Sequence, residues 1–213
     1  MNHPLAAALA AIASIGSAQA GTAEDELRQQ QRDWEVIRYQ TPPSGRARRF
    51  EQLTERAHRL AESGPGRADL LAWEGQVVSS WADAQGGWQA LGLARRAKAL
   101  FEAAIRIDAA ALDGAACDGL GVLYARSLPW PLGFADKARA RALLEQALTI
   151  DPTGLETNAS YGEFLVESGE TARAVPYLER AMAATPRHGH YVADIGRREE
   201  VRALLERVRA AAP

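Results

Sequence analysis

Small and apolar residues recur along the chain at helical spacing. In two segments an alanine is followed four residues later by a leucine, three residues after that by a second alanine, and then by a proline. The segments are offset by 34 residues and consist of Ala140, Leu144, Ala147 and Pro152, and of Ala174, Leu178, Ala181 and Pro186. Spacings of four and three place these side chains on one stripe of a helix, and the proline ends the helix. We therefore predict a repeated helix whose small residues let a neighbouring helix approach closely.

The same alternation of apolar stripes with proline and glycine divides the rest of the chain into helices, and strand signals are nearly absent. One further helix carries the stripe as Ala97, Phe101 and Ala104. The predicted helices besides this one, including the two that carry the first stripes, span 22–39, 46–62, 68–84, 112–127, 136–150, 155–168, 171–184 and 194–211.

These elements predict a single all-α domain, an α-α solenoid of about four helix pairs in which neighbours share a core. Residues 21–66 form an N-terminal helix pair, and 67–193 hold the repeats, two of which have lengthened turns. Residues 194–213 form a C-terminal capping helix, since Val201, Leu204 and other apolar residues lie on one side and charged residues, Arg197 among them, lie largely elsewhere.

The first 20 residues have a different composition. An apolar stretch from Leu5 to Ala18 is followed by Gln19 and Ala20, and small residues at 18 and 20 suit a signal peptidase. The stretch is too short to span a bilayer as a helix. Residues 1–20 are therefore predicted to be an export signal cleaved after Ala20, which leaves a periplasmic protein with no stable membrane span.

The 34-residue period is that of a stacked helix-turn-helix unit. The chain resembles the tetratricopeptide repeat, which implies a solenoid of stacked helix pairs. The residues that carry this resemblance are Leu120, Gly121, Tyr124, Ala140, Leu144, Ala147, Pro152, Tyr161, Gly162, Gly169, Ala174, Leu178, Ala181 and Pro186.

Two turns within the repeats are longer than this pattern. The separation from Gly162 to Ala174 is 12 residues, whereas it is 19 from Gly121 to Ala140 and 22 from Gly75 to Ala97. Equivalent turns of adjacent repeats lie on the same edge, so the two insertions are predicted to form an apolar pocket or a partner-binding edge. They could equally pack on each other and cover the helices. The candidate binding residues are Trp81, Trp88, Leu91, Trp130, Leu132 and Phe134.

Other chemistry is weakly represented. The formal net charge is -2, from 25 Lys and Arg against 27 acids, and no basic stripe is concentrated enough to favour nucleic acid. The only cysteine, Cys117, falls on an inward stripe, where a thiol behaves as a small buried hydrophobe. Glu74 and Asp118 are single carboxylates with no readable partner, and His188 and His190 are expected in an exposed loop. We predict no catalytic residue, metal or cofactor.

Further motifs resemble a family of exported bacterial repeat proteins, which are similar to the T-component of tripartite periplasmic (TRAP-type) transporters. These motifs are Trp73-Glu74-Gly75, residues 84–87 with 90–94, residues 129–134, and residues 196–200. The resemblance implies an exported, non-catalytic scaffold that binds a protein partner such as a periplasmic solute-binding protein. The alternative is a carrier of a small hydrophobic ligand held between the Trp-bearing turns. A hydrolase with dispersed catalytic residues is a third hypothesis.

Overall fold

The computed structural model describes residues 22–129 and 132–211, and the predicted export signal lies outside these residues. Within the described ranges the regular structure is entirely helical, and α1 covers 22–35 and continues into a π-helical turn, Val36–Gln40. The later helices are α2 (Pro43–Ser63), α3 (Ala68–Gln85), α4 (Gly87–Ile107), α5 (Ala111–Arg126), α6 (Lys137–Ile150), α7 (Leu155–Glu167), α8 (Thr171–Ala183) and α9 (Tyr191–Ala210).

Consecutive helices pack in pairs, α3 with α4, α5 with α6, and α7 with α8. In each pair a glycine of the first helix faces the large stripe residue of the second. A Cβ added at the glycine would lie only 2.6–2.8 Å from that side chain. The two helix backbones are therefore closer than they could be if the glycine carried a side chain. The facing residues are Gly75 with Phe101, Gly121 with Leu144, and Gly162 with Leu178. The close approach predicted from the stripe is therefore confirmed.

The helix bounds follow the sequence prediction to within a few residues at most ends. Helix α2 begins at Pro43 rather than at 46, because proline is tolerated in the first helical turn, where the amide it lacks would have no partner. Helix α9 begins at Tyr191 rather than at 194.

The second pair departs from the prediction, because its extra residues do not form a loop. Helices α3 and α4 are 18 and 21 residues long, whereas α7 and α8 have 13 each, and only Gly86 separates α3 from α4. Gly86 has a φ of 63°, which glycine adopts without steric cost. Trp81 therefore lies in α3, and Trp88 and Leu91 lie in the first turns of α4.

The core consists of two hydrophobic clusters that share α3. One face of α3 contributes residues such as Ala72 and Val78 to the cluster that runs through the repeats. Another face contributes Leu70 and Trp73 to a cluster with α1 and α2. Within it, Trp73 Nε1 donates a hydrogen bond of 2.9 Å to the side chain of Gln30 on α1. The N-terminal helix pair is thus continuous with the solenoid.

Helix α9 does more than cap the last pair. It packs on α7 and α8, as a cap does, and it also contacts the π-helical turn that ends α1. The ring of Tyr39 occupies the space beside Gly196, where an added Cβ would lie 2.2 Å from it. Arg38 pairs with Glu200 at 3.0 Å. The first and last described helices therefore meet and close the solenoid on itself.

Candidate functional site

The inner surface of the closed solenoid forms a groove with a cavity of about 300 Å³. Its walls come from the first helices of the repeats, α3, α5 and α7, and from α1, α2 and α9. Trp34 and Tyr39 contribute aromatic surface, with ring centroids 6.1 Å apart and ring planes at 81°. The Trp34 indole donates to Ser80 Oγ at 2.8 Å, which fixes its orientation. The cavity is within the range of small-molecule binding sites.

An arginine at the centre of one wall joins two helices. Arg197 of α9 has 8% of its surface exposed, although the sequence placed it on a solvated face. Its guanidinium donates to Glu156 at 3.0 Å, to Glu163 at 2.5 Å and to Glu200 at 3.1 Å. Burial raises the pKa of Glu163, but the charges of Arg197 and Arg126 outweigh that effect and lower it. A buried guanidinium is tolerated here because carboxylates surround it.

Asp118 lies in the same groove and is incompletely satisfied. Its Oδ2 accepts a hydrogen bond of 3.0 Å from Ser160 Oγ. Its Oδ1 is shielded from solvent and has no hydrogen-bond partner within the described ranges. Burial, with a smaller contribution from the charge of Glu156, raises the pKa of Asp118 to about 7. The sequence offered no partner for this carboxyl, and the structure supplies only one hydrogen bond.

Asp83 is a second carboxyl of the groove that lacks a partner. It lines the cavity from the last turn of α3, is exposed to solvent, and makes no hydrogen bond or ion pair among the residues that the structure describes. Desolvation in the groove raises the pKa of Asp83, and the charges of Arg126 and Arg38 partly oppose the shift. Sequence reasoning did not select this residue.

The six residues predicted for binding separate into packed and exposed side chains. Trp81 is half-buried against the N-terminal cluster, and Phe134 is half-buried with its ring edge-on to Tyr124 at 5.7 Å. Leu91 is also half-buried. Trp88 and Leu132 are 73% and 49% exposed. Trp130 lies outside the described residues.

A hydrogen bond joins the two lengthened segments. Arg95 of α4 donates to the backbone oxygen of Leu132, in the connection between α5 and α6, at 3.3 Å. Trp88 lies seven residues before Arg95 and hence on the same face of α4, two turns away. Leu128, at the start of the same connection, is 47% exposed. We call Trp88, Leu128 and Leu132 the apolar edge.

Other candidate residues prove to be structural. Glu74 is buried and accepts from Arg96 at 2.7 Å, with His58 Nδ1 at 3.1 Å. His190 is half-buried beside Glu35, with its Nδ1 2.7 Å from a carboxylate oxygen, so the expectation of an exposed loop fails for this residue. Within residues 22–129 and 132–211, no three His, Cys, Asp or Glu side chains are arranged to hold a metal ion.

Cys117 is buried, as the sequence predicted. Burial, with a smaller effect of the Asp118 charge, raises the pKa of its thiol to about 11, so the reactive thiolate is scarce near neutral pH. In the part of the chain that the structure covers, no helix has the length and apolarity needed to cross a bilayer.

Comparison with known proteins supports the repeat architecture. A family model, the tetratricopeptide repeat, matches residues 136–195, which include α6, α7 and α8. The crystal structure of a thermophilic TPR protein from Thermus thermophilus resembles this chain with a TM-score of 0.58 and 16% sequence identity, over 87% of this chain and 98% of that chain. No curated protein matches the sequence. The chain therefore has the fold of a tetratricopeptide-type α-α solenoid, and such repeats generally serve as scaffolds for protein–protein interaction.

Proposed function

We propose that this chain is an exported, non-catalytic scaffold that binds a periplasmic solute-binding protein through the apolar edge. The observation that carries the proposal is the exposure of three large apolar side chains, Trp88 at the start of α4 and Leu128 and Leu132 in the α5–α6 connection, which the hydrogen bond from Arg95 joins to α4. Single exposed apolar residues are ordinary on protein surfaces, whereas several on adjoining elements are characteristic of interaction sites.

Trp88 is the anchor of this proposed interface. Its indole is 73% exposed, so a partner could remove a large apolar area from water on binding. Tryptophan is enriched among the few residues that dominate binding energy at protein interfaces. Its position in the first turn of α4 gives it a fixed backbone, which reduces the entropy lost on binding.

Three further arguments support the remaining parts of the proposal. Export rests on the signal-like composition of residues 1–20. The scaffold role follows the general role of tetratricopeptide repeats. The choice of a solute-binding protein rests on the similarity of the motifs at 73–75, 129–134 and 196–200 to the T-component family.

The experiment compares two substitutions on one helix. Trp88→Ala should abolish capture of a solute-binding protein from periplasmic extract, because it removes the anchor. Ile107→Ala is the matched control, since Ile107 is 51% exposed at the other end of α4, and this variant should capture the partner as the wild type does. Mass spectrometry identifies the retained protein. Both variants should melt within a few degrees of the wild type, because surface truncations change the free energy of unfolding by only about 0.5 kcal/mol.

Two outcomes would contradict the proposal. A large drop in the melting temperature of Trp88→Ala would show that the indole packs in the fold rather than binding a partner. Retention of a hydrophobic small molecule without any protein would favour the alternative, a ligand carrier. The cavity in the groove and another beside Tyr191 are both lined by residues outside the apolar edge.

A further inference from the structure

We propose that the groove of the closed solenoid binds a small organic cation, a free primary amine or guanidine, with Asp83 and Asp118 as its hydrogen-bond acceptors. This site is separate from the apolar edge, and it would add ligand binding to the scaffold role. The charges that the walls leave unpaired, the aromatic rings in the groove and the volume of the cavity favour such a ligand.

The cationic side chains of the central wall are already neutralised by neighbouring carboxylates. Arg197 contacts three glutamates, Arg126 pairs with Glu163 at 3.0 Å, and Arg38 pairs with Glu200 at 3.0 Å. Arg46, also in the lining, has no carboxylate partner among the described residues and donates to the backbone oxygen of Thr41 at 2.8 Å. Three of the four guanidiniums of the groove are therefore paired with carboxylates, which makes it less suited to an anionic ligand.

Asp83 and Asp118, in contrast to the paired arginines, have no oppositely charged partner within the described ranges. Asp118 presents an oxygen that is shielded from solvent and unpartnered among the described residues. Asp83 lines the same cavity, is exposed to solvent, and makes no hydrogen bond or ion pair within those residues. Asp118 is therefore the buried group that lacks a donor, and Asp83 adds an unpaired negative charge. Buried polar groups are nearly always satisfied, so an unpaired oxygen facing a cavity indicates a missing donor. A group with several N–H donors and a positive charge supplies both the hydrogen bonds and the charge that these carboxyls lack.

The aromatic lining favours the same class of ligand. Trp34 and Tyr39 lie in the groove with their rings nearly perpendicular, and the indole is held by its hydrogen bond to Ser80. Arg38 already lies over the Tyr39 ring, 5.7 Å from its centroid. The faces of aromatic rings attract cations and also pack against the methylene groups of an alkylamine, so Trp34 is the ring proposed to contact the ligand.

The closed shape favours a free molecule over a peptide side chain. Tyr39 packs against Gly196 and Arg38 reaches Glu200, so α1 and α9 meet at one side of the groove. The volume of the cavity, about 300 Å³, matches a small ligand.

The test is calorimetric titration of the mature protein with putrescine and with agmatine, and with 1,4-butanediol as the neutral analogue of the diamine. Putrescine or agmatine should bind, and butanediol should not. Asp83→Asn and Asp118→Asn should each weaken binding about tenfold or more, because each removes a charged hydrogen-bond acceptor. Glu51→Gln is the matched control: it also removes one negative charge, but from the exposed face of α2, and should leave the affinity unchanged.

A second readout tests the role of Asp118 directly. Its carboxyl is surrounded by Glu156, Ser160 and Glu163 on α7 and by Arg197 on α9, and burial raises its pKa to about 7. A bound cation lowers this pKa, so binding near neutral pH should release a fraction of a proton. Titrations in two buffers of different ionisation enthalpy measure that release, and Asp118→Asn should abolish it.

Several results would overturn the inference. These are no binding of either cation at millimolar concentration, equal binding of butanediol, or equal affinity in the wild type and both aspartate variants. Tighter binding of a lysine-rich peptide than of the free amines, with the same loss in the aspartate variants, would show that a partner's side chain occupies the groove instead. Circular dichroism of each variant establishes that it is folded.

Discussion

At the scale of single residues, the groove contains a carboxyl that opposes folding. Asp118 accepts one hydrogen bond, from Ser160 Oγ, and burial raises its pKa from 3.8 to about 7. The folded chain therefore binds more protons at this site than the unfolded chain does between those two values. By linkage, its contribution to the free energy of unfolding falls as the pH rises from about 4 to about 7 and stays low above that. Carboxyls with strongly shifted pKa values are concentrated at binding and catalytic sites.

The effect of replacing Asp118 on the free energy of unfolding should therefore depend on pH. Asp118→Asn should leave the free energy of unfolding nearly unchanged at about pH 4 and raise it at about pH 8, on the order of 2–4 kcal/mol, since each pKa unit corresponds to about 1.4 kcal/mol. Urea unfolding of both proteins across this pH range measures the difference. Glu51→Gln should show no comparable difference between the two pH values. A gap between the wild type and Asp118→Asn that did not change with pH would show that the carboxyl is not perturbed.

At the scale of helices and their pairing, the sequence indicated most of what the structure shows. The stripe residues Ala140, Leu144 and Ala147 are buried as predicted, and so are their counterparts in α4 and α8. The exception is the second pair, where Gly86 and Gly87 favoured a loop. The surrounding residues form helix well, so a single glycine is enough for the turn and the extra length extends both helices. Local helix propensity alone did not decide between a long loop and two extended helices.

Glycine–stripe packing gives a test at this scale. Gly162→Ala should lower the free energy of unfolding by about 1–3 kcal/mol, because the new methyl group would lie 2.6 Å from Cδ2 of the fully buried Leu178. Gly92→Ala is the control. Gly92 lies within α4 with nothing within 4 Å of an added Cβ, so this change should raise the free energy by about 0.5–1 kcal/mol.

Chemical denaturation at one pH compares the two glycine variants with the wild type. Equal effects of Gly162→Ala and Gly92→Ala would mean that the α7–α8 contact is looser than the structure shows.

At the scale of the whole molecule, the closure of the solenoid was beyond sequence reasoning. The contacts of Tyr39 with Gly196 and of Glu35 with His190 join residues more than 150 positions apart, and no local pattern records such pairing. For the same reason Arg197, which the periodicity of α9 places among exposed charges, proves to be buried against α7. The apolar edge was partly predictable, since Trp88 and Leu132 were selected from the inserted segments. The groove was not, because it depends on α1 meeting α9.

The most direct test of this account is a cross-link between those two helices. Arg38→Cys and Glu200→Cys, whose native side chains are 3.0 Å apart, are treated in dilute solution with a short bis-maleimide, and peptide mapping identifies the products. Cys117 is buried and should not react. The closed solenoid predicts that most molecules carry one intramolecular link between positions 38 and 200. Monomers in which both new cysteines are modified separately would contradict the closure, and with it the groove.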